Sequence, residues 1–191
     1  MQAAIKILKK VDQYNEHRRK SGYKTIGIGI GIHTGSLMLR TVGEQERMDG
    51  SVIADVVNLC ARLESLKRFY GSSILVSGQT LKLLESKDGS NHRFVDMVRV
   101  KGKKELVLIY EIFDADPPEL LKKKVAMRKA WTKALLHYYD RNFMKAYRLF
   151  KALRGKNPDD RIFDLYIKRC VRCIKLGVPE DWQGIEVINL K

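Results

Sequence analysis

Cysteine is scarce in this chain, three residues among 191, at positions 60, 170 and 173. An odd count that small does not make a disulfide framework and suits a reducing compartment, so a cytoplasmic protein is expected. Cys170 and Cys173 form a lone C-x-x-C within a helical stretch, with no second pair and no spaced histidines. A structural zinc site needs four ligands, so both are expected to face a core, with Cys60 on the buried side of its own helix. Long apolar runs are also missing. None approaches the roughly 20 residues that cross a bilayer, and no membrane segment is expected. Acidic residues are outnumbered, 22 against 37 lysines and arginines, for a net charge of +15. That excess invites a nucleic-acid or acidic-membrane partner. The bases are spread along the chain among acids, however, and no basic–aromatic stripe or nucleic-acid motif accompanies them. The densest run, Lys122 to Lys124, follows two prolines. A basic solvated surface is expected, and nucleic acid is not an expected partner.

What is present is a globular pattern, 45% hydrophobic. Residues Met1 to Arg19 read as a helix with Ile5, Leu8 and Val11 as its buried stripe. The stretch is basic and amphipathic, yet it contains Asp12 and Glu16 and runs into further structure, which argues against a transit peptide. Ile26, Ile28, Ile30 and Ile32 alternate with glycine, predicting a strand with one filled face and one bare backbone face. The bare face permits close approach by another element or a ligand. Ser36 to Val42 reads as that strand's hairpin partner, and Gly43 to Gly50 as a polar loop. A helix from about Val52 to Phe69, a strand at Ser73 to Val76 and a short helix near Gln79 to Glu85 follow. Phe94 to Val100 is expected to pair with Leu106 to Phe113 across the Lys101–Glu105 turn.

Asp114 to Pro118 breaks this pattern, and the rest is helical. Trp131, Ala134, Tyr138, Ala146, Phe150 and Pro158 fall near the positions of one tetratricopeptide-type helix pair. A third helix, Ile162 to Leu176, precedes the tail Pro179 to Trp182. One such repeat cannot bury a core by itself, so it is expected to pack on the first domain or on a neighbouring subunit. The expected division is 1–113, a linker at 114–125, and a helical extension at 126–191. The expected architecture is an α+β sheet with helices on one face.

The most informative run is Val56 to Glu64, V-V-N-L-C-A-R-L-E. Asn58 and Arg62 are four apart in an otherwise apolar helical pattern, hence one turn apart on one face. An amide and a guanidinium placed so suit a polyanionic, sugar-bearing ligand.

Around that helix lie G-I-H-T-G (Gly31 to Gly35), T-V-G (Thr41 to Gly43), I-L-V-S (Ile74 to Ser77), V-K-G-K (Val100 to Lys103) and a strand ending Y-E-I. In this order they resemble the class III nucleotidyl cyclases, the adenylate and guanylate cyclase catalytic domain, over about residues 1–113. The resemblance implies a ferredoxin-like α+β domain that turns ATP into cyclic AMP and pyrophosphate with two Mg²⁺ or Mn²⁺ ions, at a site between two catalytic domains. It implies that Asn58 orients the ribose and that Arg62 stabilises the charge formed as the 3′-oxygen attacks the α-phosphate. Lys101 would contact the terminal phosphates, with Lys103 and Lys104 as weaker candidates. Ser51, seven residues before Asn58, matches the purine-reading position and favours adenine over guanine. His33 and Asp55 are expected to be structural. Ala54, where the family often has Gly, and Arg40, where a small residue is usual, are departures.

In that family the two metal-binding aspartates lie in segments that precede the helix leading into G-I-H-T-G. Here that helix begins almost at Met1, so the metal ligands and the first strands have no counterpart. Neither Asp12 with Glu16 nor Asp49 with Asp55 is a credible substitute. The expectation is a fragment, inactive alone, that needs a metal-binding half from an upstream segment or a second chain. A sheet short of strands exposes edges, so a homodimer or domain-swapped oligomer is expected. Guanylate cyclase activity, and a catalytically inactive nucleotide-binding or dimerising regulatory module, are the alternatives.

Overall fold

The computed structural model of the chain describes residues 1–36, 39–42, 49–52, 55–84, 89–99 and 106–187. The first helix, α1 (Gln2–Lys20), ends at Ser21, with His17, Arg18, Arg19 and Lys20 in its last turn, where cations complement the helix dipole. It buries Ala4, Ile5 and Leu8. Beyond it the main sheet assembles from β1 (Ile30–Ile32), β4 (Ile74–Ser77), β5 (His92–Arg99), β6 (Leu106–Ile112) and β7 (Glu186–Val187), in the spatial order β1-β4-β6-β5-β7. β1 runs parallel to β4, β6 pairs antiparallel with both β4 and β5, and β7 joins β5 in parallel. The β5–β6 pairing is the one expected from sequence. β7 was not expected, since two residues carry no periodicity.

Two expectations are corrected. The strand β2 (Leu39–Val42) is not the hairpin partner of β1. It pairs antiparallel with β3 (Asp49–Val52) in a separate two-stranded ribbon, which also takes Asp49 and Gly50 out of the expected loop. β1 finds its partner in β4, far along the chain, and its isoleucines pack on the α1 side. Helices are also not confined to one face. Side chains alternate along β4, so Ile74 and Val76 point one way and Leu75 the other. Ile74, Val76 and Ile112 pack with α1 and with Leu81 of α4 (Gly78–Leu84). Leu75, Val95, Val98 and Ile109 pack with α2 (Asp55–Ser65), α3 (Lys67–Tyr70) and three further helices, α5 (Pro118–Tyr139), α6 (Phe143–Lys156) and α7 (Ile162–Leu176). The extension is therefore the second layer of the sheet and shares a continuous core with it.

That extension is built around Trp131. Its indole is buried among Phe150, Phe163 and Tyr166, and its Nε1 donates to the Phe94 carbonyl of β5 at 2.9 Å. Ala134, Tyr138, Ala146 and Phe150 are all fully buried, and Cys170 and Cys173 face this core as expected. Burial pushes the Cys170 thiol up to about 12, with Cys173 adding to it, so this sulfur is an inert packing group.

Charged side chains cross the same seam. Arg93 of β5 donates from Nε to Glu111 of β6 at 2.6 Å, and from Nη1 and Nη2 to Asp160, before α7, at 2.6 and 2.9 Å. Lys124 of α5 bonds Glu111 at 2.7 Å and Asp116 at 2.6 Å. Burial alone would raise the Glu111 carboxyl, but Arg93 and Lys124 outweigh it and hold the group at about 2. Burial raises the Asp116 carboxyl in spite of Lys124.

Candidate active site

The expected Asn/Arg helix is shorter than its sequence pattern. Its first expected residue, Val52, ends β3. The helix α2 begins at Asp55 and gives way at Leu66 to the single turn α3, which stops at Gly71. Gly71 has φ +70°, a left-handed conformation that a side chain would strain. Leu63 of α2 and Leu66 just beyond it are buried on the sheet, while Asn58 is exposed and Arg62 half-buried. The amide and the guanidinium thus lie one turn apart beside the packed strip of a helix that is held on the sheet.

The bare face of β1 is what fixes it. A β-carbon on Gly31 would overlap the Cys60 carbonyl and the Glu64 amide nitrogen of α2, and one on Gly29 would overlap Lys67 and Glu64. The close approach foreseen from the Ile/Gly alternation is therefore made by the Asn/Arg helix itself. Where β1 ends, the Cys60 thiol faces the His33 carbonyl at 3.9 Å. His33 Nδ1 is hydrogen-bonded to Ser77 Oγ at 2.7 Å. Ser77 accepts from the Thr80 amide at 3.2 Å, and the Thr80 hydroxyl donates to Thr34 Oγ1 at 3.1 Å. This polar chain ties the G-I-H-T-G turn to the end of β4 and the start of α4, and gives His33 the structural place expected of it. Ser77 was missed as its partner, and Thr80 as the partner of Ser77 and Thr34. The serine was visible in I-L-V-S, but nothing in the sequence told which strand lay beside β1.

Ser51 lies in β3 with its backbone opposite Arg40 of β2, so the purine-reading candidate sits on the ribbon that leads into α2. Lys101, Lys103, Lys104 and Ala54 lie outside the described residues. Asp12 and Glu16 are exposed on α1. Among the described residues no three His, Cys, Asp or Glu side chains are grouped so as to hold a metal ion. The described residues therefore do not fit a two-metal centre. Among them, too, no helix is long and apolar enough to cross a membrane.

Residues 1–112 match the family model of the adenylate and guanylate cyclase catalytic domain. The chain belongs to this family. Among curated cyclases, an adenylate cyclase of Anabaena cylindrica is 38% identical over 117 residues, covering 59% of this chain and 23% of that protein. The terminal-differentiation-specific adenylate cyclase of Dictyostelium discoideum is 33% identical over 181 residues, covering 92% of this chain and 8% of that protein. This chain spans less than a quarter of either relative. Among solved structures, the guanylyl cyclase Cya2 is 26% identical with a TM-score of 0.45, covering 60% of this chain and 56% of that one. The adenylyl cyclase CyaB from P. aeruginosa is 28% identical with a TM-score of 0.43, covering 58% and 59%. Nucleotidyl cyclases as a family use divalent metal ions, and the mixed α+β architecture with an open sheet is in keeping with membership.

Proposed function

We propose that this chain carries the transition-state half of an adenylate cyclase active site, converting ATP to cyclic AMP and pyrophosphate when paired with a half that bears the metal-binding carboxylates. The observation that supports this most directly is the pair Asn58 and Arg62, one turn apart on the outward side of a helix seated on a glycine face, in a chain of the cyclase family. Asn58 holds the ribose so that its 3′-oxygen lies in line with the α-phosphate. Arg62 stabilises the charge that accumulates there, so this half contributes positioning and electrostatics. Lys101 holds the terminal phosphates. Ser51 reads the purine edge, which a hydroxyl can meet as donor or acceptor, and this favours adenine over guanine. The curated relatives named above as adenylate cyclases favour ATP in the same direction. The cyclase unit works as a homodimer or a swapped oligomer, and the tetratricopeptide-like helix pair stabilises it.

The test is a mixture of this chain with a cyclase half bearing the two aspartates, assayed for cyclic AMP and cyclic GMP with Mg²⁺ or Mn²⁺. Cyclic AMP should form, and Asn58→Ala or Arg62→Ala should lower the rate about a hundredfold or more. An unchanged rate in Asn58→Ala removes the assignment. Cyclic GMP as the main product moves the reading to a guanylate cyclase. ATP binding without any product makes the chain a regulatory module.

A further inference from the structure

The Asn58/Arg62 helix is held at its far end by the helical extension. At Leu66, where α2 gives way to α3, the two are joined by backbone hydrogen bonds. The Leu66 amide donates to the Arg62 carbonyl at 3.1 Å, and the Tyr70 amide to the Leu66 carbonyl at 3.0 Å. Tyr70, fully buried, then donates its hydroxyl to Asp96 Oδ2 of β5 at 2.7 Å. The same carboxylate oxygen accepts from Arg169 Nη2 of α7 at 2.6 Å, and Oδ1 accepts from the Met97 amide at 2.8 Å. The Arg169 guanidinium also lies 6.0 Å from the Phe69 ring centroid on α3 and 5.0 Å from that of Tyr166 on α7. Tyr166 in turn donates to the Val95 carbonyl at 2.7 Å. At the next corner the Arg161 side chain packs against Gly71.

A local irregularity makes this possible. β5 is bulged between Phe94 and Asp96. In a regular strand, positions three apart face opposite ways. The extra residue brings both Arg93 and Asp96 toward the extension. The alignment with the Dictyostelium adenylate cyclase, 181 residues long, reaches well beyond the matched domain into this extension.

We propose that Asp96, Tyr70 and Arg169 are positioning residues for the cyclase reaction, through which the extension sets the orientation of the helix that carries Asn58 and Arg62. This rests on the active-site reading above. The extension is then a working part of the catalytic unit rather than an appendage. Tyr70 stands eight residues from Arg62, across the Leu66 junction that joins α3 to α2, so a shift of α3 at the tyrosine is passed to the end of α2 that carries the guanidinium. Misplacement on the order of 1 Å is enough to cost turnover heavily.

The test has two arms. In the first, amide hydrogen exchange is measured on the chain itself, comparing the parent with Tyr70→Phe, which removes only the linking hydroxyl, and with Arg169→Met. Exchange over α2 should quicken about tenfold while α1 stays protected. In the second, turnover is measured with the metal-binding half present. Here kcat should fall about tenfold with KM for ATP nearly unchanged, and Arg169→Lys should recover part of the loss. Arg154→Gln is the control, since its pair with Asp164 lies within the extension and is partly exposed. If α2 exchange stays at the parent rate, or kcat falls no further than in Arg154→Gln, the proposal is overturned. Full turnover in Arg62→Ala would instead overturn the active-site reading, and this proposal with it.

Discussion

The two faces of the sheet are covered by different means. On one, Ala4, Ile5 and Leu8 of α1 meet Ile74, Val76 and Ile112 in an apolar contact, and farther along α1 the buried Asn15 side chain bonds the Ile26 backbone. On the other, large aromatic residues are buried together with Arg93, Glu111, Lys124, Asp160, Asp96 and Arg169. Apolar burial is non-directional and scales with area, so it holds a helix down without dictating its angle. Buried ion pairs add little net stability against an apolar replacement, but they are severe when one partner is lost. The sheet contact of α1 is thus held by quantity of apolar contact, and the extension face by an aromatic core together with a specific arrangement of charges.

The largest effect should come from breaking that arrangement. Arg93→Met leaves Glu111 with Lys124 alone and Asp160 without its bidentate partner, and should cost about 3–5 kcal/mol by denaturant unfolding. On the apolar face, Leu8→Ala removes three buried carbons and should cost about 2–3 kcal/mol. The smallest effect is the sharpest discriminator. Glu111 is held at about 2 against an ordinary 4.5, so between those values the unfolded chain binds more protons than the folded one. Stability from this group is complete above pH 4.5 and is lost as pH falls toward 2. It should decline by about 1–2 kcal/mol between pH 4.5 and 3, partly offset by Asp116, whose raised carboxyl favours the fold on protonation. Urea unfolding across that range should show the decline in Leu8→Ala as in the parent, and a much weaker one in Arg93→Met. An equal pH dependence in both variants would mean that the charged seam is not what titrates.

The sequence showed the apolar face clearly and the charged seam hardly at all, for physical reasons. A helix stripe such as Ile5 and Leu8, or the run Ile162 to Leu176, repeats locally, and its period reveals both the element and its buried side. Arg93, Glu111, Lys124 and Asp160 are scattered over 67 positions and each reads singly as a solvated surface charge. Only the packing of α5 to α7 on the sheet makes them one cluster. Strand pairing failed similarly. The pattern of Leu37 and Leu39 announces a strand but not its partner, and proximity in the chain suggested β1 where the fold uses β3. At the candidate site, Asn58 and Arg62 were legible because their helix pattern and the flanking motifs agree. The role given to Ser51 rests on the resemblance, with the structure placing its backbone in β3, and that given to Lys101 rests on the resemblance alone.

The glycine face of β1 has a consequence for how the strand tolerates change. Ile28, Ile30 and Ile32 are packed by side chains that can shift, whereas Gly31 lies against the backbone of α2 and Gly29 under the Lys67 and Glu64 side chains. A saturation scan across residues 28–32 should therefore read out with a period of two. Even positions accept most aliphatic residues, Gly29 accepts few and Gly31 none, so at Gly31 the distance between strand and helix is a quantity that substitution can destroy but cannot tune.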